Sequence, residues 1–334
     1  MSGPAKAVTV FGGGSWGLTL AALAARSGAE AVTLWVRREA VADHLRRTRR
    51  HPDFLPQLRL PAMVEVTTDL GVAADRAPLW LLAVPSQYLR GVAVRLGPPP
   101  PGVSAVSAAK GLEQPRGLRM TEVLHELWGP VAVGALSGPN LAVEVAAGKP
   151  AATVLALEDP GAFGPWSQVL GGANLRVYLQ TDVVGVELGG ALKNILALAA
   201  GMADAQDLGA SAKAALITRG LHEMGRLAVS LGARVDTLAG LAGLGDVVVT
   251  AFSVHSRNHW CGFELGRGRR LTEVLASTNM VVEGVETARV AQRMGHERGL
   301  SLPITDEVVA ILDGKPVQRA LRDLMARTLV PERD

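Results

Sequence analysis

The chain has 334 residues, 48% hydrophobic and 19% charged, with a net charge of +3: an ordinary globular composition, long enough for two domains of about 150 residues each. No long basic stripe or basic–aromatic interleaving occurs, so nucleic acid is not an expected partner. One cysteine, Cys261, excludes an internal disulfide and suits a reducing cytoplasm, and seven scattered histidines with no useful spacing argue against a zinc enzyme.

The N-terminus, "MSGPAKAVTVFGGG", runs straight into a strand and has no signal-peptide core. The glycines that follow, Gly12, Gly14 and Gly17, stand in G-x-G-x-x-G register between that strand and a helix. Gly12 serves the tight turn, Gly14 the close approach of a pyrophosphate, and Gly17 the helix–strand contact. The helix start adds amide donors and partial positive charge for phosphate.

The second strand ends "LWVRR". An NAD-selective site places an acid near this tip, about 20 residues past the glycines. Here the tip carries Arg37 and Arg38, which suit a 2′-phosphate, so NADPH is expected in preference to NADH. The rest of the Arg-rich run to residue 51 reads as a solvated helix face.

Further apolar runs, "LWLLAV", "VSAVSAA", "VAVGAL", "AATVLAL" and "LRVYL", alternate with helical patterns, and "GPPPPG" marks a surface turn. Continuous apolar strands alternating with helices predict a mainly parallel, doubly wound sheet. After Asp182 the strand signals stop. Segments 183–203, 211–231, 284–298 and 304–313 show helical period instead. The expectation is an α/β Rossmann-like domain over residues 1–182 and an all-α substrate-binding domain over residues 183–334. No charge-free apolar segment of about 20 residues is evident, so no membrane span is expected.

Several clusters carry reactive side chains. "SAAKGLE" puts Lys110 just past a strand end, where open α/β sheets bind ligands, and "LSGPNLAVEV" does the same with Gly138 and Asn140. "GLAGLGDVVVT" holds Asp246 in a glycine-dense loop, with Thr250 a few residues on as a further catalytic candidate. "SVHSRNHW" places Ser256, Arg257 and Asn258 at a helix start. The segment "ELGGALKNILALAAG" is apolar nearly all round, yet carries Lys193 and Asn194 near its middle. A lysine there costs several kcal/mol of lost hydration unless it is paired or its pKa falls. Taken singly, each cluster has a plain alternative: a surface lysine, a helix cap, a snorkelling side chain.

Together the clusters resemble one family. "GGGSWG", "AAKGLE", "SGPNLAVEV", "GVELGGALKNILALAAG", "KAALITRGLHEM", "GLAGLGDVVVT", "SRN" and "VVEGVETA" follow in order the motifs of bacterial-type NAD(P)-dependent glycerol-3-phosphate dehydrogenases. The resemblance implies reversible reduction of dihydroxyacetone phosphate to sn-glycerol 3-phosphate, feeding phospholipid synthesis. It makes Lys193 the catalytic proton acceptor in oxidation and Lys110 a residue touching cofactor and substrate. Gly138, Asn140, Asp246, Ser256, Arg257 and Asn258 fall at substrate positions. Ser15, Trp16, Arg37, Ala142, Arg257, Val281 and Glu283 fall at cofactor positions. Physically, a ketone reduction needs a hydride on carbon and a proton on the developing alkoxide, which a buried lysine can supply. Lys110 would stabilise the alkoxide, Asp246 would orient Lys193, Asn194 would bond a substrate hydroxyl, and Arg257 with Asn258 would clamp the phosphate.

The match departs from the family at Ser211 and Ala212, where Asn-Thr is common, at Asn140, where Ser or Thr is common, and at Ala251, where cysteine is common. Two other readings remain: a two-domain dehydrogenase acting on another hydroxy acid or sugar phosphate, and a non-catalytic NADPH sensor. A homodimer is a further expectation, from the apolar helices after residue 284.

Overall fold

The computed structural model describes residues 6–172, 174–278, 280–329 and 331–332. Its first part alternates strand and helix: β1 (Ala7–Phe11), α1 (Ser15–Arg26), β2 (Ala31–Trp35), α2 (Glu39–Thr48), β3 (Val64–Thr67), α3 (Leu70–Asp75), β4 (Leu79–Leu82) and α4 (Ser86–Leu96). The alternation continues with β5 (Ser104–Ser107), α5 (Met120–Trp128), β6 (Ala132–Ser137), α6 (Ala142–Ala146), β7 (Ala151–Leu157), α7 (Phe163–Leu170) and β8 (Leu175–Gln180). From there the described elements are helical: α8 (Val183–Ala205), α9 (Gly209–Ser230), α10 (Val235–Ala239), α11 (Asp246–Phe252), α12 (Arg257–Gly266), α13 (Leu271–Ala276), α14 (Glu283–Glu297), α15 (Pro303–Leu312) and α16 (Val317–Met325).

The strands form one eight-stranded sheet in the order β3-β2-β1-β4-β5-β6-β7-β8. Pairings are parallel except that between β6 and β7. Stepping outward from β1 on both sides is the doubly wound arrangement that the apolar runs predict. β1 and β4 are buried along their whole length because helices cover both faces. On one face Trp80 packs edge-on against Phe11 and Trp128, with ring centroids 5.5 and 5.9 Å away. Leu18, Leu20, Leu34, Leu81 and Trp166 belong to a second core cluster. β3 was not legible in the sequence: Val64 is buried, but Glu65 is exposed and Val66 and Thr67 are half-buried, so it lacks the continuous apolar signal of the inner strands.

The chain divides into two compact units. One runs up to Gly190 and adds Gly232–Asp246; the other comprises Ala191–Leu231 and the chain from Val247 onward. Two of the three boundaries fall inside helices, α8 and α11, and the third follows the end of α9.

In the first unit, the start of α8 is tied to α5 through buried Glu187, which accepts from Thr121 N (2.9 Å) and Thr121 Oγ1 (2.5 Å) and pairs with Arg119. In the second unit, α8 and α12 pack backbone to backbone. A Cβ on Gly262 would stand 2.0 Å from Leu198 O, and one on Gly201 2.0 Å from His259 O. Only glycine permits that approach, and it brings Asn258 beside Asn194. By length and composition α8 could cross a membrane, but 94% of its apolar window is buried inside the protein. It is a core helix here.

Candidate active site

In the first unit the nucleotide turn follows β1 directly. Gly12 adopts φ +125°, and a Cβ there would stand 2.5 Å from Ala83 O. A Cβ on Gly17 would stand 1.9 Å from Gly12 O, so the helix start can press against the turn only with glycine at that position. Gly14, by contrast, faces open space, and it sits immediately before Ser15 at the start of α1. The three glycines thus stand in three different settings, and Gly14 alone of them has open space beside it. Trp16 Nε1 is buried beside this turn with no hydrogen-bond partner. Ala142 opens α6, and its carbonyl accepts from Thr19 of α1 at 3.3 Å, which holds the "SGPNLA" segment against the nucleotide helix.

The two arginines after β2 are not equivalent. Arg38 is engaged with Asp53 at 3.2 Å. Arg37 lies over the Tyr88 ring, 5.9 Å from its centroid. Neither Asp53 nor Tyr88 announced itself in the sequence, since each is far along the chain from "RR".

Past the end of β5, Lys110 Nζ donates to Gly138 O at 2.9 Å and to Asp246 Oδ2 at 2.6 Å. Asp246 is 1% exposed, so groups of the protein rather than water surround its carboxylate, Lys110 among them. The sequence reading put Asp246 in a loop; it is the first residue of α11, directly after a π-helical turn, Leu241–Gly245. The glycines that suggested a loop serve the tight π turn instead: a Cβ on Gly243 would fall 2.0 Å from Leu238 O. Gly138 adopts φ +150°, and Asn140 Nδ2 donates to Ala152 O at 2.6 Å. Ser137 Oγ, beside the Lys110 stem, is buried with no partner, a hydroxyl the sequence reading passed over.

In the second unit Lys193 is buried on α8, 7% exposed, and donates to Thr250 Oγ1 on α11 at 2.7 Å. Asn194 Oδ1 accepts from Asn258 Nδ2 at 2.8 Å, and Asn258 Oδ1 accepts from Gly284 N at 2.9 Å. The Asn258 side chain is therefore a tie between α8, α12 and the start of α14. Its backbone N–H lies in the first turn of α12, where the early amides of a helix have no intrahelical partner. Ser256 caps that helix by accepting from His259 N, while Arg257 is exposed at the first position. Glu283 opens α14, with Val281 two residues earlier.

Another cluster escaped the sequence reading. Asp204 Oδ2 accepts from Lys213 Nζ at 2.6 Å and lies 2.7 Å from His259 Nε2. Burial would raise the Asp204 carboxyl, but Lys213 and His259 hold it below the usual range. Lys213, which also lies over the Phe252 ring, follows the departures at Ser211 and Ala212 and is still anchored. Among the described residues no group of three or more His, Cys, Asp or Glu could hold a metal ion.

The comparisons with known proteins agree along the chain. Residues 7–162 match the model of the NAD-dependent glycerol-3-phosphate dehydrogenase N-terminus, and residues 182–322 that of its C-terminus. A Salinibacter ruber protein named glycerol-3-phosphate dehydrogenase [NAD(P)+] 1 is 46% identical, over 97% of this chain and 96% of that one. A Streptomyces coelicolor protein named glycerol-3-phosphate dehydrogenase [NAD(P)+] is 45% identical over 100% of both. The crystal structure of glycerol-3-phosphate dehydrogenase from Coxiella burnetii superposes with a TM-score of 0.92 at 35% identity, covering 97% of this chain and 100% of that one.

Proposed function

The chain belongs to the NAD-dependent glycerol-3-phosphate dehydrogenase family, and we propose that it interconverts dihydroxyacetone phosphate and sn-glycerol 3-phosphate in the cytoplasm, supplying glycerol phosphate for phospholipid synthesis. The observation that carries this reading is a buried lysine, Lys193, hydrogen-bonded to Thr250 in the middle of a largely apolar helix. Such a group is costly to bury, and proton transfer to a developing alkoxide gives it a task.

When bound, NADPH supplies the hydride. Gly12, Gly14 and Gly17 leave room for its pyrophosphate, Ser15 and Trp16 flank that turn, and Ala142, Val281 and Glu283 complete the cofactor set. Arg37 is the residue for a 2′-phosphate, with Arg38 second because Asp53 already engages it. Lys193 gives its proton to the carbonyl oxygen during reduction and takes it back during oxidation. Thr250 fixes the direction of the ammonium group. Lys110 adds a second cation for the alkoxide, and Asp246 keeps it aimed and offsets its charge. Asn194, held by Asn258, faces the substrate hydroxyl. Arg257 and the first amides of α12 hold the phosphate, with Ser256 capping the same turn. Gly138 and Asn140 line the substrate beside Lys110.

The test is to follow NADPH, and separately NADH, on mixing the purified protein with dihydroxyacetone phosphate, and to identify the product. Rapid oxidation that yields sn-glycerol 3-phosphate supports the reading, with the ratio of rates giving the cofactor preference. Cofactor binding with no oxidation overturns it and turns attention to other phosphorylated ketones or to a sensor.

A further inference from the structure

We propose that the first unit carries a second anion site, at the N-terminal edge of the sheet, built from Arg26, Arg49 and Arg59 to take a small phosphorylated solute. The three arginines, with Leu60, Pro61 and Ala62, line an open cavity of about 450 Å³. Among the described residues no acidic one lines it. Its position separates it from the nucleotide turn. That turn follows the C-terminal end of β1, whereas Arg26 ends α1 and residues 49–62 lead into the start of β3, where Val64 pairs with Val32 near the beginning of β2.

Two of the arginines have a partial structural reason. Arg26 and Arg49 stand at the ends of α1 and α2, where the helix dipole favours a cation. Arg49 also donates to Val64 O at 2.8 Å and to Pro61 O, which pins the loop entering β3. That reason does not extend to Arg59, which lies outside any helix and is exposed. Among the described residues neither Arg26 nor Arg59 forms an ion pair. Arg49 sits in the left-handed region at φ 61°, its Nε is buried with no partner, and burial together with the Arg59 charge pushes its guanidinium below its ordinary range. Three like charges gathered around one cavity with no counter-charge repel one another, and a bound anion relieves that repulsion.

Guanidinium groups offer paired donors that match phosphate oxygens, and three positive charges suit a phosphate dianion or a diphosphate better than a single carboxylate. The cavity is within the size range of small-molecule sites, so it admits a phosphorylated metabolite as well as the bare anion. A phospholipid headgroup presents the same chemistry, and the experiment separates the two sources.

Pyrophosphate is titrated by calorimetry into the full-length protein saturated with NADPH, so that the nucleotide site is filled. The wild type, Arg257→Ala and the double variant Arg26→Ala/Arg59→Ala are compared, with Arg47→Ala/Arg95→Ala as a control for surface charge. The expected result is one saturable site that survives Arg257→Ala and the control, and weakens at least about tenfold in the double variant, as loss of charged hydrogen bonds predicts. Arg49 is left intact because it pins the loop, and Arg59→Gln replaces the double variant if that fails to fold. No saturable binding, binding lost in Arg257→Ala, or equal weakening in the control overturns the proposal. Sedimentation with phosphatidylcholine vesicles containing phosphatidic acid is expected to capture no protein. Capture that depends on Arg26 and Arg59 overturns the assignment to a solute.

Discussion

Lys110 and Asp246 stand 136 residues apart in the chain, yet their side chains meet at 2.6 Å, with the carboxylate almost wholly buried. A pair of this kind is expensive to break, since removing one partner strands the other charge, at about 3–5 kcal/mol. Asp246→Asn is therefore expected to lower stability by roughly 3 kcal/mol and to cut kcat about a hundredfold. Thermal unfolding and steady-state kinetics on the same preparation check both.

The contact between Lys193 and Thr250 is smaller in scale. Thr250→Val keeps the shape of the side chain and removes one hydrogen bond to an ammonium group, worth about 1.5–3 kcal/mol. The expected outcome is a fall in kcat on the order of tenfold or more, with the KM for substrate nearly unchanged. A KM that rises while kcat holds would mean that Thr250 serves binding instead of aiming the lysine.

How much of this was legible beforehand follows the physics of each signal. The doubly wound sheet was readable because its inner strands are buried on both faces and so appear as unbroken apolar runs. Lys193 stood out because an ammonium group in an apolar helix is a local anomaly, visible without any partner. Asp53 beside Arg38 and Tyr88 beneath Arg37 were not readable, because only tertiary packing brings them close; Thr250 was a candidate, but its contact with Lys193 was not readable for the same reason. Asp246 was misplaced into a loop for a related reason. Glycines signal both irregular chain and close approach, and sequence alone does not distinguish a loop from a π turn.

The unequal settings of Arg37 and Arg38 make a sharp distinction. Arg38 spends its charge on Asp53, while Arg37 rests on the Tyr88 ring. Arg37→Ala is expected to raise the KM for NADPH by roughly tenfold and leave the KM for NADH near its starting value. Arg38→Ala should shift the NADPH value much less. Initial-rate measurements with both cofactors decide between equal and unequal roles.

Glu223 gives a pH dependence of known sign. Its carboxylate oxygens accept from Ile304 N at 2.7 Å and Thr305 N at 3.1 Å, capping α15. Burial nevertheless pushes the carboxyl from 4.5 up to about 7, against the pull of those amides. The folded protein thus holds the proton more tightly than the unfolded chain. The stabilisation is fully present below pH 4.5, declines as pH rises toward about 7 and is gone above it. Glu223→Gln should flatten that part of the curve, with a difference on the order of 3 kcal/mol across the window. Denaturant unfolding of both proteins at a series of pH values measures it.

The proposed reaction turns on Lys193 moving the proton. Single-turnover reduction of dihydroxyacetone phosphate by Lys193→Ala, with NADPH binding measured on the same sample, tests it most directly. The expected result is unchanged cofactor affinity and a rate of hydride transfer lowered on the order of 10²–10⁴-fold. A variant that binds NADPH and turns over at the parent rate would contradict it.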